Sequence, residues 1–268
     1  MNRQHVQVLA RYELMQSLLS TRGVLFLIIY GTLWFWMLWK LSGGWAANLA
    51  SEEGIAFMSW LFDPVLARAL FTEQAPTLSL FFLLFMAMIP VFTLWGAGDQ
   101  TATDIGTRHL RFLIPRCGRQ EIYLGRFVGA LLFMTLVHAL IVGVGVAVAL
   151  YTDVHAGTVA YGARILMVTF LYTLPYIALM SLYGAILGSA AAAILTAIAT
   201  YAVVAIAGSL MAMHWQAAVY IGYLFPSPLK SALLTGHGTA FIVALAAMVM
   251  YAGIYFALGW YIFQRRDI

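Results

Sequence analysis

Residues 78–126 read LSLFFLLFMAMIPVFTLWGAGDQTATDIGTRHLRFLIPRCGRQEIYLGR. The run Leu78–Gly98 contains no Asp, Glu, Lys or Arg, whereas the stretch 99–126 contains five Arg and three acidic residues. A bilayer core about 30 Å thick is crossed by roughly 20 apolar residues in a helix. The change in composition after Gly98 therefore predicts a membrane-spanning helix that leaves the bilayer into a polar connector.

The composition of the whole chain supports the same class of protein. Of its 268 residues, 63% are hydrophobic and 9% are charged, whereas a soluble domain carries about 25% charged residues. We expect an all-α integral membrane protein with a single transmembrane domain over residues 1–268. The net charge of +4 is interpreted as an asymmetry between loops, and no nucleic-acid partner is expected. A single cysteine, Cys117, excludes an intramolecular disulfide and any metal site that needs several cysteines.

Six apolar runs are long enough to cross a bilayer as helices. They are Gly23–Trp39, Leu78–Gly98, Phe127–Tyr151, Ile165–Leu187, Ala190–Met213 and Ala240–Phe263. The pair Gly188-Ser189 is the break between the fourth and fifth runs. It predicts a tight helical hairpin, with one long bent helix as the alternative. Between the spans, we expect short helices in residues 41–77 and a segment over 214–239 that dips into the membrane without crossing it.

The distribution of basic residues predicts the orientation of these spans. Six spans place both termini on one side, and that side carries ten of the 14 Lys and Arg residues. Because Lys and Arg are enriched in cytoplasmic loops, we expect both termini and the connector 99–126 in the cytoplasm. The ten residues are Arg3, Arg11, Arg22, Arg108, Arg111, Arg116, Arg119, Arg126, Arg265 and Arg266.

Helix-breaking residues divide the connector into short segments, which is typical of an ordered connection. Asp99–Thr103 continues the second span, Gly106 and Thr107 mark a turn, and Pro115 and Gly118 break the chain again. Residues 108–115 between these breaks predict a short helix at the membrane surface, and Arg119–Arg126 restarts a helix that leads into the third span. The simpler alternative is a basic loop that only sets the topology, which would need fewer residues than this connector contains.

The order of residues in the connector resembles the region between spans two and three of exporter-type ABC transporter permeases. That family has the pattern D-x4-E-x-G-T, a short apolar run, a Pro, and then S-R-x-E-I-x-L-G-K. The matching residues here are Asp99, Asp104, Gly106, Thr107, Pro115, Arg119, Glu121, Ile122, Leu124, Gly125 and Arg126. Asp104 replaces the usual Glu, Arg126 replaces the usual Lys, and one residue is added between Pro115 and Arg119. The N-terminal stretch LARYELMQSLLSTR resembles the amphipathic helix that precedes the first span in this family.

The resemblance implies a mechanism in which the motor is a separate protein. Two permease subunits, identical or different, form the path, and two cytoplasmic ATP-binding subunits close on ATP and Mg²⁺. Residues 108–115 would be the coupling helix that seats in a groove of the ATPase. The ATPase-coupling residues predicted in this way are Asp104, Gly106, Thr107, Arg108, Arg111, Pro115, Arg119 and Glu121. The predicted amphipathic helix over residues 1–22 carries Arg11, Glu13 and Arg22 at the expected positions.

The chain itself lacks the residues that a motor or an enzyme needs. A phosphate-binding loop has the pattern G-x4-G-K-[ST], and neither Lys40 nor Lys230 lies in such a pattern. The zinc-protease pattern H-E-x-x-H and the hydrolase pattern G-x-S-x-G are also missing from the sequence. We therefore expect no catalytic residue, cofactor or metal on this chain. His138 lies inside the third span, where a buried histidine bonded to a neighbouring helix is a simpler interpretation than a haem ligand.

Two functional interpretations remain open from the sequence. None of the six runs contains Asp, Glu, Lys or Arg, whereas ion-coupled carriers place charged groups inside the membrane. This favours a permease of a bacterial inner membrane that is driven by ATP from outside the bilayer and moves an amphipathic or lipid-like cargo. The alternative is a membrane scaffold that transports nothing and recruits a cytoplasmic protein through the 99–126 connector. The small residues Gly184 and Gly188 likewise fit packing within one subunit or a dimer contact.

Overall fold

The structure is a computed structural model that describes residues 2–61, 64–153, 155–215 and 219–266. Over these residues the chain is helical, with turns and short 3₁₀ segments between the helices and no strand. The helices are α1 (Arg3–Leu19), α2 (Thr21–Leu41), α3 (Glu52–Leu61), α4 (Pro64–Phe71), α5 (Pro76–Gly96), α6 (Gln100–Gly106), α7 (Leu110–Leu113), α8 (Arg119–Thr152), α9 (Thr158–Leu187), α10 (Ala190–Ala212), α11 (Val219–Gly222), α12 (Lys230–Thr235) and α13 (Gly238–Arg265).

Six helical segments of the described chain are long and apolar enough to cross a membrane. They are α2, α5 together with α6, α8, α9, α10 and α13. Each of the six apolar runs in the sequence forms one of these helices, so the described chain is all-α and has the six long apolar helices expected of a multi-pass membrane protein. Several helices extend past the apolar runs; α8, for example, begins at Arg119 rather than at Phe127. The polar first turns of α8 belong to the same helix as the third predicted span.

The break at Gly188 reverses the direction of the chain, as the hairpin prediction required. Gly188 ends α9 in the left-handed region, with φ +64°, and α10 begins at Ala190. Tyr176 on α9 and Tyr201 on α10 have ring centroids 6.2 Å apart. In one continuous helix these residues would be separated by roughly 37 Å. The two helices are therefore antiparallel, and the bent-helix alternative is wrong.

The core of the bundle is built around α5 and α9, whose residues are mostly buried. The first span, α2, contributes a stripe of aromatic side chains to this core: Tyr30 and Trp34 are almost fully buried and pack against Phe92 and Phe85 on α5. The helices α2, α10 and α13 remain largely exposed. Because their exposed side chains are apolar, these faces suit contact with lipid tails.

His138 lies within this core on α8. Its Nδ1 atom is 3.2 Å from the Thr173 hydroxyl oxygen on α9, and its ring lies between Tyr30 and Phe85. The prediction of a buried histidine bonded to a neighbouring helix is thereby confirmed.

One end of the bundle carries the short helices between spans. Together with the 3₁₀ helix Trp45–Ala50, α3 and α4 occupy most of the predicted segment 41–77, which confirms short helices there; residues 62 and 63 lie outside the described chain. In the segment 214–239 the described residues form α11, α12 and a 3₁₀ turn. Asp153 links α8 to α5 at this end, because its carboxylate accepts the Thr77 backbone N–H at 2.8 Å and the Thr77 hydroxyl at 2.9 Å.

The opposite end carries the 97–118 segment, α1 and both described chain ends; we name it the connector end. The Asn2 backbone N–H donates to a Glu121 carboxylate oxygen at 2.5 Å. The Arg119 guanidinium donates to the Gln264 carbonyl at 2.7 Å. Both chain ends thus meet at the start of α8, which is the arrangement that an even number of crossings requires.

Candidate functional site

The connector leaves the core as α6, which lies against α9. Gln100 begins α6 with φ +22°, and its side-chain amide donates to the Ile177 carbonyl of α9 at 3.2 Å. A Cβ on Gly184 would lie 3.5 Å from the Cβ of Ala102 on α6, and a Cβ on Gly188 would lie 2.6 Å from Ile105. Both small residues singled out in the sequence therefore face α6 of the same chain, and at Gly188 a larger side chain would collide with it.

The short helix predicted over residues 108–115 is a single turn, α7, with a bend on either side. Arg108 makes the first bend in the left-handed conformation, with φ +57°, a region that non-glycine residues seldom adopt. Leu110 is fully buried and anchors α7 in a small apolar cluster. The other buried members of that cluster are Leu9, Ile122, Tyr123, Ala185 and Phe263.

The outward side of this segment is basic and aromatic; we call it the α7 surface. Phe112 is 73% exposed. The other exposed members are Thr107, Arg108, His109, Arg111, Pro115 and Arg116. An apolar ring surrounded by arginines offers one buried contact and several charged contacts to an acidic partner.

A buried ion-pair network joins α6 and α8, the helices that flank α7 along the chain, to α1; we call it the Arg126 network. Arg126 on α8 donates from Nη1 to a Glu13 carboxylate oxygen on α1 at 2.6 Å. Its Nη2 lies 2.5 Å from a carboxylate oxygen of Asp104 on α6. The Arg126 and Glu13 side chains are each 3% exposed and that of Asp104 is 7% exposed. One guanidinium thus joins α1, α6 and α8 out of contact with bulk water.

The charge balance of the Arg126 network favours one bound proton. Two carboxylates face a single guanidinium, so the fully ionised network carries an excess negative charge in a buried site. Burial raises the pKa of Glu13 to about 7, although the Arg126 guanidinium opposes this shift. Tyr12 covers the network from the outside, with its ring centroid 5.0 Å from the guanidinium carbon.

Close packing of α1 on α8 makes this network possible. Gly125 and Gly129 lie on the face of α8 that meets α1, at the spacing that lets two helices approach closely. A Cβ on Gly129 would lie 2.4 Å from the Glu13 Cβ, and one on Gly125 would lie 2.6 Å from the Leu9 Cβ. The sequence analysis did not predict this contact, although the G-x-x-x-G spacing was visible in GRFVG at residues 125–129.

The predicted coupling residues Glu121 and Arg119 bind other parts of the chain. Glu121 accepts the Gly118 N–H at 3.2 Å and lies 2.7 Å from Nδ1 of His5 on α1. Arg119 donates to the Gln264 and Arg266 carbonyls at the end of α13. These two side chains therefore hold α1 and α13 against the start of α8.

The other residues predicted from the sequence divide between inside and outside positions. Asp104 lies inside, in the Arg126 network, and Glu13 lies with it. Gly106 is close to α9, since a Cβ there would lie 2.6 Å from the Gly188 carbonyl oxygen. Those that are exposed are Gly106 itself, Thr107, Arg108, Arg111, Pro115, Arg11 and Arg22. Only part of the predicted coupling set is thus accessible to a partner.

The predicted amphipathic helix is α1, and it runs alongside the first turns of α8 in the same direction, because Leu9 lies opposite Gly125 and Glu13 lies opposite Gly129. Ser20 separates α1 from α2, and its hydroxyl accepts the Gly23 backbone N–H at 3.2 Å. The inner face of α1 carries Leu9, Ala10 and Glu13. Its outer face is an exposed apolar stripe formed by Val8, Tyr12, Met15 and Leu19. α1 therefore packs on α8 with one face and exposes apolar side chains on the other.

No protein-family model matches the chain, and no curated protein matches it. The resemblance to exporter-type ABC permeases therefore stands on the residues of the connector and of α1.

Proposed function

We propose that the chain is the membrane-spanning permease subunit of an ATP-driven ABC exporter. In this proposal a separate ATP-binding subunit, in two copies, holds ATP and Mg²⁺ and docks on the α7 surface. A second permease subunit completes the path, and the complex lies in a bacterial inner membrane with the connector end in the cytoplasm. The observation that carries the proposal is the combination of an exposed basic and aromatic turn, α7, with a buried ion-pair network that joins α6 and α8, the helices on either side of it.

The charges and shape of the α7 surface favour a protein partner. Arg108 and Arg111 suit acidic side chains, and Phe112 suits an apolar groove between them. Burying a phenylalanine side chain contributes roughly 1.5–3 kcal/mol, whereas a basic loop that only sets the topology gains nothing from an exposed phenylalanine. A docked partner would remove this ring from water.

The contacts between α7 and its neighbouring helices would transmit a displacement of the α7 surface to the spans. Leu110 holds α7 in the small cluster, and the Arg126 network joins α6 to α8 and α1. Close-packed interiors transmit displacement because they have few voids to absorb it. A partner that moves α7 would therefore move the connector ends of several spans together.

The cargo proposed from the sequence is amphipathic or lipid-like. The buried charged side chains lie at the connector end and pair with one another in the Arg126 network. They are therefore not placed to bind ions along the bundle. The proposed alternative, a scaffold that recruits a cytoplasmic protein without transport, would use the same α7 surface. The two proposals differ in whether docking changes ATP hydrolysis.

The test uses the full chain purified in detergent from its native membranes together with any ATPase bound to it. Replacing both Arg108 and Arg111 by Glu should release the ATPase or abolish the stimulation of its turnover by the chain. Phe112→Ala should weaken the same complex. Arg68→Glu, on α4 at the other end of the bundle, is the matched charge reversal and should leave both properties unchanged.

The outcomes separate the interpretations. A protein other than an ATPase that is lost on the Arg108 and Arg111 reversal would support the scaffold. An ATPase that stays bound and stimulated after the reversal would refute the docking assignment of the α7 surface.

A further inference from the structure

Three side chains of metal-binding type meet beside the α7 surface. His5 comes from α1, Cys117 from the bend that follows α7, and Glu121 from the first turn of α8. One ligand atom from each lies within 4.8 Å of the ligand atoms of the other two. Because His5 is more than 110 residues away from the other two along the chain, no spacing pattern in the sequence indicates this group.

The chemistry of the three side chains selects the type of metal. An imidazole, a thiolate and a carboxylate are the ligand types of Zn²⁺ sites, with bonds of about 2.0–2.3 Å. Ca²⁺ and Mg²⁺ prefer oxygen ligands throughout, so the Cys117 sulfur and the His5 nitrogen disfavour them. A thiolate and a carboxylate together carry the charge that neutralises Zn²⁺. The site would therefore be neutral once the metal is bound, even next to several arginines.

The local structure holds the three residues in place for this role. The Cys117 backbone N–H donates to the Leu113 carbonyl at 2.8 Å, which fixes the bend. His5 Nδ1 and Glu121 Oε2 are 2.7 Å apart, within hydrogen-bond distance. The ligand atoms around a tetrahedral Zn²⁺ ion lie roughly 3.3–3.8 Å apart, which small side-chain rotations reach from the present distances. His5 and Cys117 are half-buried, so water can reach the fourth coordination position.

We propose that His5, Cys117 and Glu121 bind one Zn²⁺ ion that joins the start of α1 to the bend between α7 and α8. The ion would take the place of the hydrogen between His5 Nδ1 and Glu121, with the neutral imidazole carrying its hydrogen on Nε2, and the proton of the Cys117 thiol would leave to solvent. This site is independent of the proposed transport function, because it needs no partner protein. Its expected effect is to hold the start of α1 against the base of the α7 surface.

Cobalt titration of the full chain in detergent provides the first test. Co²⁺ is a spectroscopic substitute for Zn²⁺, and a cobalt–thiolate bond gives a near-ultraviolet charge-transfer band. The wild-type chain should develop this band up to one equivalent of Co²⁺ and lose it when Zn²⁺ is added. Cys117→Ser should abolish the band. His5→Gln should weaken binding at least roughly tenfold, the lower bound for losing even an outer-shell partner.

The matched control is His109→Gln, which removes an exposed histidine of the α7 surface and should leave the titration unchanged. Thermal unfolding provides a second measurement that does not depend on the band. Zn²⁺ should raise the unfolding temperature of the chelator-treated wild type and of His109→Gln, but not that of Cys117→Ser. A wild-type chain without the band, or an equal Zn²⁺ shift in wild type and Cys117→Ser, would overturn the proposed site. No ATPase takes part, so failure here leaves the proposed docking function untouched.

Discussion

Replacing Arg126 by Met should lower the thermal stability of the chain by a large and measurable amount. The change removes the guanidinium that faces the buried carboxylates of Glu13 and Asp104. Removing one partner of a buried ion pair costs about 3–5 kcal/mol, because the remaining charge has lost its partner without regaining water. For a chain of this size we expect the unfolding temperature at pH 8 to fall by roughly 6–20 °C.

The size of the loss should depend on pH, and this dependence identifies its cause. In the Arg126→Met variant both carboxylates can become neutral only by binding protons, which costs less at low pH. The difference in unfolding temperature between variant and wild type should therefore shrink as the pH is lowered from 8 to 5. A volume effect of the substitution would be the same at both pH values.

The assay is tryptophan fluorescence during heating of the detergent-solubilised chain, with size-exclusion chromatography to verify that each variant is folded at the start. Arg11→Met, on the exposed side of α1, is the matched control, and a surface change of this kind should stay within about 0.5 kcal/mol. A triple variant that combines Glu13→Gln, Asp104→Asn and Arg126→Met removes all three charges and should recover most of the loss. The reasoning is refuted if Arg126→Met is as stable as Arg11→Met, or if the triple variant is less stable than Arg126→Met.

Three further predictions concern the same end of the bundle. The pKa of Glu13 is raised from an ordinary value of 4.5 to about 7, so between these pH values the folded chain keeps a proton that the unfolded chain releases. Protonation of Glu13 therefore stabilises the folded state by about 3 kcal/mol. This stabilisation is fully present below pH 4.5 and is lost as the pH rises through 7. Glu13→Gln should flatten this part of the stability-against-pH curve, and an unchanged slope would contradict the assignment. Gly129→Ala should destabilise the chain by about 1–3 kcal/mol, because the added methyl group overpacks the contact with α1. Gly143→Ala is the control: it lies on the same helix with open space around it and should not destabilise the chain. Equal effects of the two changes in thermal unfolding would exclude the close contact with α1. Leu110→Ala should lower the free energy of unfolding by about 2–5 kcal/mol. Because α7 would then be held less firmly, trypsin should cleave after Arg111 faster. An unchanged cleavage rate would show that Leu110 does not anchor α7.

The parts of the fold that the sequence predicted are those that depend on local composition. A helix that crosses a bilayer must be apolar along its whole length, so each of the six helices could be predicted from its own stretch of sequence. The break at Gly188 was also local, because a glycine next to a serine interrupts an apolar run wherever it lies in the fold. The orientation of the spans and the docking function of the α7 surface stay predictions.

The candidate site was less predictable because its contacts are distant along the chain. Asp104, Glu121 and Arg108 are all polar residues of the connector, and the sequence does not distinguish a side chain that meets a partner from one that meets another helix. Asp104 faces inward because Arg126 lies opposite it, and Glu121 faces inward because α1 lies there. The close packing of α1 on Gly125 and Gly129 decides both positions.

The first span has a further consequence for how the chain sits in its membrane. On α2, the exposed side chains of Arg22 and Trp39 mark the two ends of the apolar surface, and their separation along the helix is roughly 26 Å. Arginine and tryptophan side chains settle at the two interfaces of a bilayer, so α2 matches a hydrocarbon layer slightly thinner than the average of about 30 Å. A thicker bilayer would have to thin locally around α2 or draw Arg22 inward. Either change is applied at the Ser20 corner, where α1 meets α2, so the thickness of the host membrane bears directly on the position of α1.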